Sequence, residues 1–130
     1  MGAWGPGNFE NDAVSDWLGE LHEWSSVEDA FAAVLDAAPD EYVGADACCI
    51  ALGAAEIVAA CLGRPGAVPD TVADWVRTHR NKCDERVRAL AESCTLRIEA
   101  ESELQELFDE GGRNEQWHAE IQDLLRRLAA

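Results

Sequence analysis

From Asn11 onward, apolar residues recur at intervals of three and four, which predicts a succession of amphipathic helices. The first is capped by Asn11 or Asp12 and carries the stripe Val14, Trp17, Leu18, Leu21 and Trp24, with Asp16, Glu20 and Glu23 on its other face. Ser25 or Ser26 offers the next N-cap, with Glu28 and Asp29 in the first turn. Its stripe is Val27, Phe31, Val34 and Leu35, and Pro39 stops it. Residues 45–62 differ, because nearly every position is apolar apart from Asp46, Gly53 and Glu56. A helix there is buried on most of its circumference and becomes the centre of the domain. A membrane span would need about 20 strongly apolar residues, whereas this run is Ala-rich with a carboxylate in its middle, which argues against spanning. Gly63 and Pro65-Gly66 end it.

Pro69-Asp70 opens a fourth helix with Val72, Trp75, Val76 and His79 on one face, and a fifth follows with Cys83, Val87, Leu90, Ala91, Cys94 and Ile98. The two stripes keep one phase, so a single helix over 71–99 competes with two; Asn81, three residues before Asp84, favours a break. Ser102, Leu104, Leu107 and Phe108 predict a short sixth helix closed by Gly111-Gly112. Asn114 caps the last, with the stripe Trp117, Ile121, Leu124, Leu125 and Leu128. No run alternates at period two for long enough to predict a strand, and no internal repeat stands out. The expected fold is therefore all-α: one compact domain of six to seven helices around the central apolar helix. The N-terminal segment 1–10 is expected to be ordered against it. A small α+β domain is the alternative, because residues 2–8 could be extended.

That N-terminal segment has its own signature. Gly2, Gly5 and Gly7 interleave with Trp4 and Phe9 ahead of Asn11-Asp12, a composition for a tightly turned plug whose rings bury against the helices. The pattern Gly2-x-Trp4-Gly5-x-Gly7-x-Phe9-x-Asn11-Asp12, followed by Asp16-Trp17-Leu18, resembles the start of an uncharacterised prokaryotic domain-of-unknown-function family. Ala54-Ala55-Glu56, the Pro69-Asp70 step and the stretch from Ser102-Glu103-Leu104 to Asp109-Glu110 are also similar to it. The resemblance implies a small single-domain prokaryotic protein and no particular activity.

The chain has 130 residues, long enough for one domain with its own core. Its 26 acidic residues against 10 basic ones, with Lys82 the sole lysine, leave a net charge of −16. That balance excludes nucleic acid and an anionic membrane surface as direct partners and favours a basic protein or a cation. Proteome-wide acidity, as in a GC-rich or salt-adapted organism, explains the same numbers without a partner. Five cysteines cannot all pair, and none forms a C-x-x-C unit. Cys83 and Cys94, on one helix, would lie about 16 Å apart along its axis, too far to bridge. Cys48-Cys49 falls in the apolar run as small hydrophobes. Reduced thiols and the lack of a signal-peptide pattern predict a cytoplasmic protein. Met1-Gly2 begins like an acylation site, but Pro6 stands where Ser or Thr is wanted.

No catalytic constellation emerges. His22, His79 and His118 fall on different helices without a ligand pair, so neither a metal nor a cofactor is expected. His79 complements a helix C-terminus, and Asp46 an N-terminus. Glu56 is the costly ionisable position: buried, it must find a partner such as an arginine or shift its pKa upward. A structural reading makes it one half of a buried Arg–Glu pair or the acceptor of an indole N–H. A functional reading makes it a site residue, with Trp4, Phe9, Asn11 and Asp12 as candidate binding or structural neighbours. Asn11 and Asp12 are caps first and ligands second. The glycine-rich opening lacks the Lys and Ser or Thr of a phosphate loop. Trp17, Trp24, Trp75 and Trp117 read as core. The run Glu99, Glu101, Glu103, Glu106, Asp109 and Glu110 reads as a solvated face before a docking surface.

The functional expectation is a non-enzymatic interaction protein that presents its acidic surface to a basic partner, in its sharpest form an immunity or antitoxin-like inhibitor. The competing expectation is a small enzyme or ligand-binding protein with a pocket around Glu56 and the N-terminal segment.

Overall fold

In the computed structural model, residues 12–19, 23–36, 44–66, 68–79, 83–100, 102, 104, 109–110 and 114–129 are described. They form α1 (Asp12–Gly19), α2 (Trp24–Leu35), α3 (Ala45–Cys61), α4 (Asp70–His79), α5 (Glu85–Ala100) and α6 (Asn114–Leu128). No strand occurs among the described residues. Leu104 and Asp109–Glu110 are helical, in the stretch where a short helix is expected between α5 and α6; the rest of that stretch lies outside the described residues. So does the N-terminal segment 1–10, and with it the extended alternative for 2–8.

α3 has no solvent face for most of its length. Every residue from 51 to 61 is buried, and α3 packs against all five of the other named helices. Its composition permits this. Helix axes pack about 8–10 Å apart, at the near end of that range where side chains at the contact are small, and Ala51, Gly53, Ala54, Ala55, Ala59 and Ala60 supply small side chains along α3. Larger side chains arrive from outside: Phe31 and Val34 of α2, Val72 of α4, Val87 and Ile98 of α5, and Trp117, Ile121, Leu124 and Leu128 of α6 are all almost fully buried. The result is a single all-α domain wrapped on one apolar axis.

The helix ends follow local chemistry. Leu62 closes α3 and Gly63 takes φ 83°, the left-handed conformation that an L side chain resists. There Gly63 N–H donates to Ala60 O at 3.0 Å and Arg64 N–H to Ala59 O at 2.9 Å, the paired bonds of a Schellman motif. Pro69 starts α4 by accepting from Val72 and Ala73 N–H through its carbonyl. Asp84 caps α5: its Oδ1 accepts from Val87 N–H at 3.0 Å, and its carbonyl accepts from Arg88 N–H at 3.0 Å.

Three sequence expectations are corrected. Trp24 does not extend the first helix, because α1 ends at Gly19 and Trp24 is the first residue of α2. The N-cap of α2 is Glu23, with no side-chain cap bond, and neither Ser25 nor Ser26 serves as cap. The division between α4 and α5 is real, but the cap is Asp84 itself; Asn81 lies outside the described residues. Of the four tryptophans assigned to the core, Trp117 is fully buried, while Trp17, Trp24 and Trp75 are partly buried at its rim.

One substitution made on two faces tests this architecture. Ala55→Leu, inserted against the packed circumference of α3, is expected to lower the urea-unfolding free energy by about 1–3 kcal/mol. Ala33→Leu, on the exposed side of α2, is expected to change it by less than about 0.5 kcal/mol.

Candidate functional site around Glu56

Glu56 lies in the second half of α3 with only 4 % of its surface exposed. Its partner comes from the last turn of α6. Arg127 donates from Nη1 to Glu56 Oε1 at 2.6 Å and from Nη2 to Oε2 at 3.0 Å, a two-pronged pairing that engages both carboxylate oxygens. The third edge of the guanidinium is also used: Nε donates to Asp123 Oδ2 at 2.8 Å, one turn earlier on α6. Hydrogen bonding to Glu56 raises the Arg127 pKa above its usual value, overcoming the opposing effect of burial. The guanidinium therefore stays charged, as a buried carboxylate needs.

The surroundings are shaped to this pair. A Cβ at Gly66 would stand 2.9 Å from Arg127 Nη1 and 3.0 Å from Cζ, so the absence of a side chain there makes room for the guanidinium. Arg64 Nη1 donates to Arg127 O at 2.9 Å and also reaches Ala129 O. Arg88 Nη1 donates to Leu128 O at 3.0 Å. The C-terminal carbonyls of α6, which no helical N–H can satisfy, are thus bound by arginines from the α3–α4 connection and from α5. With both its oxygens in the fork, Glu56 joins α3 to α6. Trp4, Phe9 and Asn11 lie outside the described residues, and Asp12 is described only as the first residue of α1.

The remaining chemistry-bearing residues sit apart. His79 ends α4 with its ring stacked on Trp75 (centroids 4.0 Å apart), and Trp75 stacks on Trp24 at 5.8 Å. Its Nδ1 lies 2.8 Å from Trp75 O. The stack holds α4 against α2, and the buried Nε1–H groups of Trp24 and Trp75 have no acceptor among the described residues. The sequence placed Trp75 and His79 on one face of the fourth helix, but it assigned Trp24 to the first helix, so the third member of the stack was not foreseen. His118 Nδ1 stands 3.0 Å from Glu99 Oε2, and Gln122 donates to both Glu99 oxygens. Glu99 therefore faces α6 instead of lying on a solvated acidic run, while Asp109 and Glu110 are exposed. Among the described residues no group of three or more His, Cys, Asp or Glu side chains is arranged to hold a metal ion. No helix in them is long and apolar enough to cross a membrane.

None of the five cysteines is in a disulfide. Burial pushes the Cys49 and Cys94 thiols up to about 12 and raises Cys83 as well. Such thiols are held in their unreactive protonated form at neutral pH.

The family model described as Domain of unknown function (DUF4259) matches residues 2–120, and the chain belongs to that family. The matched span takes in Glu56 and ends ahead of Asp123 and Arg127. No curated protein and no solved structure matches the chain.

Glu56→Gln, which leaves the Arg127 charge without its counter-ion, is expected to cost about 3–5 kcal/mol in chemical denaturation. Gly66→Ala, which pushes on the same guanidinium, is expected to cost about 1–3 kcal/mol. The thiols give a pH dependence of definite sign. Because their folded pKa values lie above the ordinary thiol value, their contribution is complete below about pH 9 and is lost as pH rises toward about 12. The urea midpoint is therefore expected to fall between about pH 9 and 11, and less steeply in Cys94→Ala.

Proposed function

We propose that this protein is a non-enzymatic, cytoplasmic prokaryotic interaction module that binds a basic protein through the acidic half of its fold, as an immunity or antitoxin-like inhibitor would. The observation that carries the reading is how charge is distributed along the chain. All ten Lys and Arg residues lie at or beyond Arg64, so α1, α2 and α3 contribute acidic side chains and no cation of their own. Asp16 of α1, Glu23 just before α2, Asp29 within it, Asp36 at its end and Asp46 at the start of α3 are all exposed. Glu28 is met by Arg86 of α5, a cation reaching across from the other half.

A one-signed surface of this kind speeds encounter with an oppositely charged partner and selects against acidic ones. The interior points the same way. Glu56, the one acidic side chain among the buried described residues, is paired with Arg127, so surface electrostatics is the property offered to a partner. Five cysteines outside any disulfide accord with a reducing compartment.

The test is retention of proteins from the native cells on the immobilised chain at about 50 mM and about 500 mM NaCl, a range over which screening removes most long-range attraction. One basic protein is expected to bind at low salt, leave at high salt, and fail to bind a variant carrying Asp16→Asn, Glu23→Gln, Asp29→Asn and Asp36→Asn. A control neutralised at Asp70, Asp74 and Glu115 is expected to keep it. Equal retention by both variants, or no basic protein at either salt, would overturn the reading.

A further inference from the structure

His118, in the second turn of α6, has a carboxylate at each ring nitrogen. Its Nδ1 stands 3.0 Å from Glu99 Oε2 of α5, and its Nε2 stands 3.9 Å from Asp109 Oδ1 in the connection between α5 and α6. Gln122, one turn further along α6, donates to both Glu99 oxygens at 2.8 and 3.0 Å and fixes that carboxylate in place. Trp117, buried beside it, meets the imidazole edge-on, with ring centroids 4.9 Å apart.

An ionised carboxylate only accepts hydrogen bonds, and a neutral imidazole carries a single N–H. A neutral ring can therefore serve one of these two carboxylates and turns a bare nitrogen toward the other. An imidazolium, a donor at both nitrogens, serves both. The shorter contact keeps the single proton on Nδ1, so the second proton enters on Nε2, on the side of Asp109. The other acidic groups nearest in the packing are Glu115, one turn before His118 on α6, and Asp46 at the exposed start of α3; Glu56 of α3 is paired with Arg127. Ionised, none of these competes with the ring as a donor.

We propose that His118 is a proton-operated clasp: on acidification its Nε2–H donates to Asp109 and tightens the α5–α6 connection onto α6, and at neutral pH that attachment is lost. Histidine is the side chain that ordinarily changes charge between pH 5 and 8, which sets the working range. Asp109 has a further interaction within the chain, so the proton adds an attachment to a carboxylate already engaged. The His118 and Asp109 side chains are 35 % and 34 % exposed, so solvent screens the pair and the effect is that of a surface ion pair, a factor of about three. The clasp lies apart from Asp16, Glu23, Asp29 and Asp36, and either it or the docking of a basic protein can fail without the other.

The test is amide solvent exchange at Asp109 and Glu110, followed by NMR at about pH 5.5 and about pH 7.5 and corrected for the intrinsic rate at each pH, a window in which histidine and not carboxyl groups ordinarily titrates. Protection in the unaltered chain is expected to be about threefold higher at the lower pH. In Asp109→Asn and in His118→Gln the two values are expected to coincide, which separates His118 from the other histidines. Equal protection at both pH values in the unaltered chain overturns the proposal, as does a pH response that survives in either variant. Protection that is higher at about pH 7.5 and disappears with EDTA places a metal ion and not a proton between the two groups, and overturns it too.

Discussion

A helix enclosed on all sides is the constraint on which the rest of this structure depends. An exposed helix resolves its polar and apolar requirements by facing two ways; α3 cannot. It must be small at every contact so that five neighbours can reach it, which its alanines provide. It must also be free of charge unless that charge is matched inside the protein. Glu56 is the exception, and a set of other features exists on its account. Arg127 supplies the counter-charge, Asp123 takes the remaining guanidinium edge, and Gly66 leaves room for it. Arg64 and Arg88 bind the carbonyls of the same helical turn. A carboxylate at one position of α3 thus determines how the far end of the chain is seated.

Such pairs are weak evidence of net stability, because desolvating both charges costs about as much as their attraction returns. Their strength lies in intolerance of error. Apolar contacts would accept a rotated or shifted α6 with little penalty, whereas a two-pronged Arg–Glu pair in the interior accepts only one seating. We read the pair as a specificity device for the last helix, with the apolar stripe of α6 supplying most of the burial.

The parts of this arrangement that were legible in the sequence are those that repeat. The stripes of α2, α4, α5 and α6 emerge at the predicted positions because periodicity reports burial directly, and the all-round apolarity of 45–62 identifies the central helix. Boundaries were less legible. Trp24 continues the period of α1 while belonging to α2, and a stripe that stays in phase carries no mark of where one helix ends and the next begins. The need of Glu56 for a counter-ion was also legible, but its identity was not. Arg127 lies 71 residues away, and no local pattern encodes a contact at that separation. A partial signal existed: Arg127 sits between Leu124 and Leu128 on α6, at the edge of a buried stripe where a solvated arginine would be out of place. The candidate neighbours Trp4, Phe9 and Asn11 fall outside the described residues.

The division of labour that follows is between an interior in which the one acid among the described residues, Glu56, is paired with Arg127 and a surface whose charge is unevenly distributed along the chain. A double-mutant cycle on Glu56 and Arg127, using Glu56→Leu, Arg127→Met and their combination in urea denaturation, tests that division most directly. The account predicts a coupling energy of about 2–3 kcal/mol, with the doubly apolar protein far more stable than either single variant. Additive single effects would contradict it, since Glu56 would then be buried for a reason other than Arg127.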